Sequence, residues 1–214
     1  MPIHDIQHIL YINLDHRTDR KCHIEKELAA LGWLERSMRF PAVSLKNGAA
    51  GCSMSHLKCL EIAKKEKWSH VLIVEDDLEC LDVEFFQQQL NLFLRSGTDW
   101  DVCLLAGNNM LPYLPHNEAS IQVMNCQTTT AYLVQEHYYP TLMANIRQGI
   151  QELLKYPERK VEFAIDKYWL RLQQADRWYL VVPLTLVQRK DYSDVEKKTT
   201  DYRRYMLDYN KVVR

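Results

Sequence analysis

Apolar and polar positions alternate between two periods along this chain. "HILYINL" (8–14) is a short apolar run of strand type, and a helix is predicted from about Asp19 to Leu31. In that helix Ile24, Leu28 and Leu31 share one face, with Gly32 placed to end it. A second helix is predicted from about Ser53 to Lys65 through Met54, Leu57 and Leu60. "VLIV" (71–74) is wholly apolar, as a strand in the middle of a parallel sheet must be. Asp82 stands where it can cap a third helix carrying Phe86, Leu90 and Phe93.

"WDVCLLAG" (100–107) reads as another buried strand, and "IQVMN" with "TTAYLVQ" as a hairpin. Pro140 opens a helix through Met143, Ile146, Ile150 and Leu153. "WYLVVPLTLVQ" (178–188) is a late strand that Pro183 should confine to an edge or a bend. Strand–helix alternation with a mixed second half predicts an α/β sandwich around a mostly parallel sheet.

Composition narrows the class. At 214 residues, 47% hydrophobic and 26% charged, the chain suits one globular domain with a sizeable core. A formal net charge of −1 gives no general attraction to nucleic acid or acidic membranes. The N-terminal stretch has no secretory pattern, and every apolar run falls short of the roughly 20 residues of a transmembrane segment. The six cysteines are scattered with no CxxC pair, so reduced thiols in a cytoplasmic protein are expected and a zinc site is not. Residues 189–214 carry eight Lys/Arg against five Asp/Glu, which predicts a surface helix or a flexible basic end.

The chemistry concentrates where "VLIV" runs into Glu75, Asp76 and Asp77. Two carboxylates about 4 Å apart repel by roughly 4 kcal/mol at an effective dielectric near 20, so such a cluster calls for a cation, a proton or solvent. In an extended chain Glu75 and Asp77 project to one side and Asp76 to the other. In open α/β sheets ligands bind beyond the carboxyl ends of strands, which makes a metal site here the leading expectation. A receiver domain also begins with an acidic pair after a strand, but it needs a phosphoacceptor aspartate some 40–50 residues later. This chain has none between Asp101 and Asp166. The other metal chemistry is the leaving diphosphate of a nucleotide sugar, with hard oxygen ligands favouring Mn²⁺ or Mg²⁺.

Six segments in order, "YINLDHRTDR" (11–20), "GCSMSH" (51–56), "VLIVEDD" (71–77), "WDVCLLAGN" (100–108), "TTTAYLV" (128–134) and "FAIDKYW" (163–169), together resemble the family 25 glycosyltransferases. That family includes lipopolysaccharide-core and collagen galactosyltransferases, and the resemblance covers roughly residues 8–195. Large DNA viruses, notably the chlorella viruses, also encode soluble proteins of this general type. The resemblance implies a GT-A fold, with a Rossmann-like sheet that binds a nucleotide sugar. A nucleotide-sugar half over about 1–107, an acceptor half over about 108–195 and a basic tail over 196–214 follow from it. The implied partners are a UDP-sugar donor, such as UDP-glucose or UDP-galactose, and a glycan or glycoprotein acceptor, with no nucleic acid. A non-catalytic nucleotide-sugar-binding module of a longer protein is the alternative.

Individual roles follow from position and from that resemblance. Asn13, Leu14, Asp15, Arg17 and Arg20 lie at or after the end of the first strand, where the base and phosphates are expected, and an arginine fork can hold a phosphate. Gly48 and Gly51 would let the backbone approach a ligand, and His56, in the first turn of the predicted helix, would be a site residue. Asp77 is the expected direct metal ligand and Glu75 is expected at the metal through a bound water or at the ribose, with Asp76 able to replace either. Gln188, Asp191 and Asp194 are candidates for a distant third ligand, Asp191 foremost. Asp166 is the expected general base, and Thr129, Thr130 and Tyr132 are expected along the sugar pocket.

Overall fold

A computed structural model describes residues 2–212. β1 (Ile9–Asn13) leads through α1 (Thr18–Ala30) to β2 (Ser37–Pro41), and α2 (Gly48–Lys65) leads to β3 (His70–Glu75). A turn through Asp76 and Asp77 gives β4 (Leu78–Cys80), followed by α3 (Val83–Arg95) and β5 (Val102–Leu104). Five short strands come next: β6 (Asn108–Asn109), β7 (Tyr113–Asn117), β8 (Ser120–Val123), β9 (Cys126–Gln127) and β10 (Ala131–Gln135). α4 (Tyr139–Lys155) and three one-turn helices, α5 (Lys160–Phe163), α6 (Ile165–Tyr168) and α7 (Leu170–Gln173), precede β11 (Trp178–Val181) and β12 (Leu186–Gln188). The described chain closes with β13 (Asp191–Ser193), β14 (Lys198–Thr200) and α8 (Arg203–Leu207).

Eight strands form the central sheet in the order β2-β1-β3-β10-β5-β11-β8-β7. β2, β1 and β3 pair in parallel, as do β5 and β11, while β10 and β8 run antiparallel to their neighbours. This is the mixed, mostly parallel sheet that the alternation predicts. Alternate residues of each strand go to opposite faces. Leu10, Ile73, Leu104 and Tyr132 pack with α2 and α4, while Tyr11, Leu72, Cys103 and Leu133 pack with α1 and α3. Both faces are therefore covered, which is why β3 and β10 carry apolar residues without interruption.

Four expectations give way to tertiary structure in whole or in part. "IQVMN" and "TTAYLVQ" are not a hairpin: β8 pairs with β7 and β11, while β10 inserts between β3 and β5. Of the edge and the bend expected at Pro183, the bend holds and the edge does not. β11 ends at Val181 inside the sheet between β5 and β8, the chain bends at Val182 and Pro183, and β12 continues beside β4 in a separate two-stranded sheet. The second helix begins at Gly48 rather than Ser53, since Asn47 accepts the Ala50 N–H at 3.2 Å and caps it five residues earlier. The basic end is neither a bare surface helix nor free. β13 and β14 form a hairpin, and Met206 of α8 is wholly buried in the core.

Candidate functional site

The chain leaves β1 for β2 on one side and returns through α2 to β3 on the other. Connections from the carboxyl ends of β1 and β3 therefore diverge, which opens a crevice at the switch point. A cavity of about 530 Å³ lies there, lined by Asn13, Leu14 and Arg20, by Glu75, Asp76 and Asp77, and by the start of α2. Thr128, Thr129, Asp166, Gln188 and the 193–197 segment complete it.

The strand ends at Glu75, so the extended alternation of the three acids does not hold beyond it. Arg20, on the buried face of α1, gathers the other two. Its Nη1 lies 2.8 Å from Asp76 Oδ1 and 3.3 Å from Asp77 Oδ2, and its Nε lies 3.1 Å from Asp191 Oδ2. Asn13 Nδ2 donates to the other Asp76 oxygen at 2.7 Å, so both oxygens of Asp76 have a partner. Gln188 Nε2 donates to Asp77 Oδ2 at 2.9 Å, but Asp77 Oδ1 is buried without a partner among the described residues. Burial pushes the Asp77 carboxyl up to about 7; the Glu75 charge adds to this and Arg20 opposes it. Asp76 is also raised by burial, against Arg20 and Asn13. The repulsion is thus relieved by a cation of the chain itself, save for one orphaned oxygen. That oxygen, beside an anionic Glu75, suits a hard divalent ion.

Glu75 belongs to a second network. A carboxylate only accepts, so His56 Nε2 donates to Glu75 Oε1 at 3.0 Å, and in the neutral ring Nδ1 accepts from the Tyr132 hydroxyl at 2.8 Å. Thr129 Oγ1 donates to the same Oε1 at 2.7 Å, and Cys52 Sγ lies 3.6 Å from it. Burial raises the Glu75 carboxyl, but His56 and the three hydrogen bonds outweigh it and hold the group below its ordinary range. The environments of Glu75 and Asp77 thus drive their affinities for a proton apart.

Asp166 is the second residue of α6, and its Oδ2 accepts the Thr128 N–H at 3.2 Å. Burial raises its carboxyl, with Lys167 opposing. Thr128 has φ 74°, a left-handed conformation that is rare for a β-branched residue and costs of order 1–3 kcal/mol.

Several predicted residues stand elsewhere. Asp15 is exposed and pairs with Arg39 at 2.6 Å. Arg17 binds Asp19 at 2.9 Å and Asp194 at 2.7 Å, and neither Asp15 nor Arg17 lines the cavity. Asp191 is turned to Arg17 and Arg20 outside the lining, whereas Gln188 and Asp194 are part of it. Thr130 and Tyr132 are fully buried behind the cavity rather than along it; the Thr130 carbonyl accepts the Glu75 N–H at 2.8 Å. His56 lies two turns into α2, not in its first turn, and is itself fully buried. Gly51 serves chain packing, since a Cβ there would lie 2.5 Å from the Val43 carbonyl oxygen. Gly48 lines the cavity, and a Cβ there would meet Val195 Cα less closely, at 3.2 Å.

Reasoning from the sequence overlooked Cys52, which with His56 and Glu75 forms a cluster of possible metal ligands and corrects the expectation that no such cluster exists. The available signal was the four-residue spacing of Cys52 and His56 on one helix.

No family profile matches the chain, and no curated protein matches it in sequence. Among solved structures it is similar to a mannose-1-phosphate geranyltransferase from Thermus thermophilus, with TM-score 0.43 and 12% identity over 84% of this chain. The chain spans 58% of the length of that protein. It is also similar to a glycosyltransferase involved in glycosylation of the major capsid of PBCV-1, with TM-score 0.49 and 11% identity over 88% of this chain and 95% of the other. For A197 from STIV the TM-score is 0.45 at 12% identity, covering 97% of both chains. These likenesses all fall below a TM-score of 0.5 and carry none of the conclusions that follow.

Proposed function

We propose that this chain is a GT-A type, metal-dependent glycosyltransferase that moves a hexose from a UDP-sugar to a hydroxyl of a glycan or glycoprotein. The observation that carries the proposal is the buried, unpartnered Oδ1 of Asp77 beside Glu75, at the switch point of the sheet. The ordered motifs resembling family 25 support it, and a cavity of about 530 Å³ falls within the usual range for small-molecule sites.

Asp77 and Glu75 would hold Mn²⁺ or Mg²⁺, which when bound neutralises the charge of the leaving diphosphate. Asn13 and Leu14, at the end of β1, receive the nucleoside. Arg20 keeps Asp76 and Asp77 in place while its positive charge faces the phosphates. Asp166 takes the proton of the attacking acceptor hydroxyl, and burial strengthens it as a base.

Calorimetric titration with UDP, and with UDP-glucose and UDP-galactose, in the presence and absence of Mn²⁺ tests the proposal. Mn²⁺-dependent binding that disappears in Asp77→Ala is the expected result. Absence of binding in the unaltered chain overturns the proposal, and equal affinity in the variant removes Asp77 from the metal.

A further inference from the structure

We propose that Cys52, His56 and Glu75 form a second divalent-cation site, selective for a borderline-soft ion such as Zn²⁺ over Mg²⁺. The site shares Glu75 with the Mn²⁺ or Mg²⁺ site proposed above, but its assignment is argued from the Cys52 and His56 ligands and not from glycosyl transfer. Cys52 and His56 are four residues apart on α2 and therefore leave the same face of the helix, above Glu75 at the end of β3. One ligand atom from each lies within 4.8 Å of the other two. His56 Nε2 is 3.0 Å from Glu75 Oε1, and Cys52 Sγ is 3.6 Å from that same oxygen. Zinc bonds of about 2.0–2.3 Å in a tetrahedron hold their ligand atoms roughly 3.3–3.8 Å apart, so the two separations to Glu75 already match to within tenths of an ångström, and the third, within 4.8 Å, closes by a small side-chain rotation.

The surroundings match what holds such ligands in place. The Tyr132 hydroxyl orients the imidazole through Nδ1, and the Thr129 hydroxyl fixes the carboxylate. Cys52, Glu75 and Thr129 line the cavity whereas His56 lies behind them, so three protein ligands leave a fourth position open to the cavity. Sulfur, nitrogen and oxygen donors together favour Zn²⁺ or Co²⁺ and disfavour Mg²⁺. On binding, the Cys52 thiol releases its proton to solvent. The imidazole proton moves from Nε2 to Nδ1, and the Tyr132 hydroxyl turns from donor to acceptor. One proton is released per ion bound.

Titration of the metal-stripped full chain with Co²⁺ in buffer containing Mg²⁺, and without nucleotide, tests this. A single equivalent is expected to give a thiolate-to-cobalt charge-transfer band with tetrahedral visible bands, both displaced by Zn²⁺. Cys52→Ser loses the charge-transfer band. Tyr132→Phe, which removes no ligand, keeps the band with about 10–100-fold weaker Co²⁺ affinity. A wild-type spectrum without the band overturns the site, and so does an unchanged band in Cys52→Ser. Because no nucleotide is present, either failure leaves the donor titrations above unaffected.

Discussion

Nη1 of Arg20 lies 2.8 Å from Oδ1 of Asp76, and both side chains are buried where β3 ends. The guanidinium answers the question posed by three adjacent acids: the first cation in the cluster belongs to the chain. Removing one partner of a buried pair strands the other's charge, which costs about 3–5 kcal/mol. Arg20→Met is expected to lower stability by that amount in urea unfolding. A loss under about 1 kcal/mol, the range of an exposed pair, would show that solvent already screens the charges.

Asp77 sets a pH dependence. Its folded carboxyl sits at about 7, whereas an aspartate in the unfolded chain titrates near 3.9. Between those values the folded state keeps a proton that the unfolded state has lost. The contribution of Asp77 to stability therefore declines as pH rises through this window. Asp77→Asn keeps the shape without the ionisation, so it should gain on the wild type in thermal unfolding as pH rises from about 4 to 7 in chelator. A divalent ion bound by Asp77 competes with the same proton, so Mn²⁺ affinity should rise up to tenfold per pH unit below about 7 and flatten above. A flat stability difference between wild type and variant across that window would refute the assignment.

The sequence shows clearly what is local. Asp82 caps α3 as its position predicts, accepting the Phe85 N–H at 3.0 Å, and Pro140 stands in the first turn of α4. "VLIV" is a central strand because nothing polar interrupts it. What stays hidden depends on partners far along the chain. Nothing within "TTAYLVQ" records that it inserts between β3 and β5, and Arg20 meets Asp76 across 56 positions. The start of α2 is masked for a different reason. "GAAG" carries no apolar stripe, and its small residues reflect how closely neighbouring backbone approaches.

That close approach is testable at Gly51. A Cβ there would sit 2.5 Å from the Val43 carbonyl oxygen, and Val43 is pinned by its N–H to Ser55 Oγ at 2.9 Å. Backbone cannot rotate aside as a side chain can, so α2 must shift. Gly51→Ala should cost about 1–3 kcal/mol in chemical denaturation. Since Cys52 is the next residue, Co²⁺ affinity should fall as well. A variant as stable as the wild type would mean that the 43–45 segment yields freely.

Thr128 offers the opposite test. Its φ of 74° suits glycine, and its Oγ1 is buried without a partner among the described residues, so the side chain contributes strain and an unmet hydrogen bond. Thr128→Gly should therefore stabilise the fold by about 1 kcal/mol in thermal unfolding, net of the extra freedom gained by the unfolded chain. Destabilisation would show that the methyl group packs more tightly than the backbone is strained.

The Thr128 N–H also fixes the role open to Asp166. It occupies Oδ2 at 3.2 Å, so Oδ1 is the oxygen left to receive a proton from an acceptor hydroxyl. Asp166→Asn preserves the Oδ contact with Thr128 and removes only the basicity. Affinity for the UDP-sugar should stay within about twofold by calorimetry, while single-turnover transfer should fall by about 10²–10⁴. In the wild type, burial raises the Asp166 carboxyl, so the rate should climb with pH through a value above the ordinary aspartate range, a limb that the variant lacks. Transfer at the wild-type rate in Asp166→Asn would mean that the proton leaves by another route, and the base would have to be sought elsewhere along the cavity.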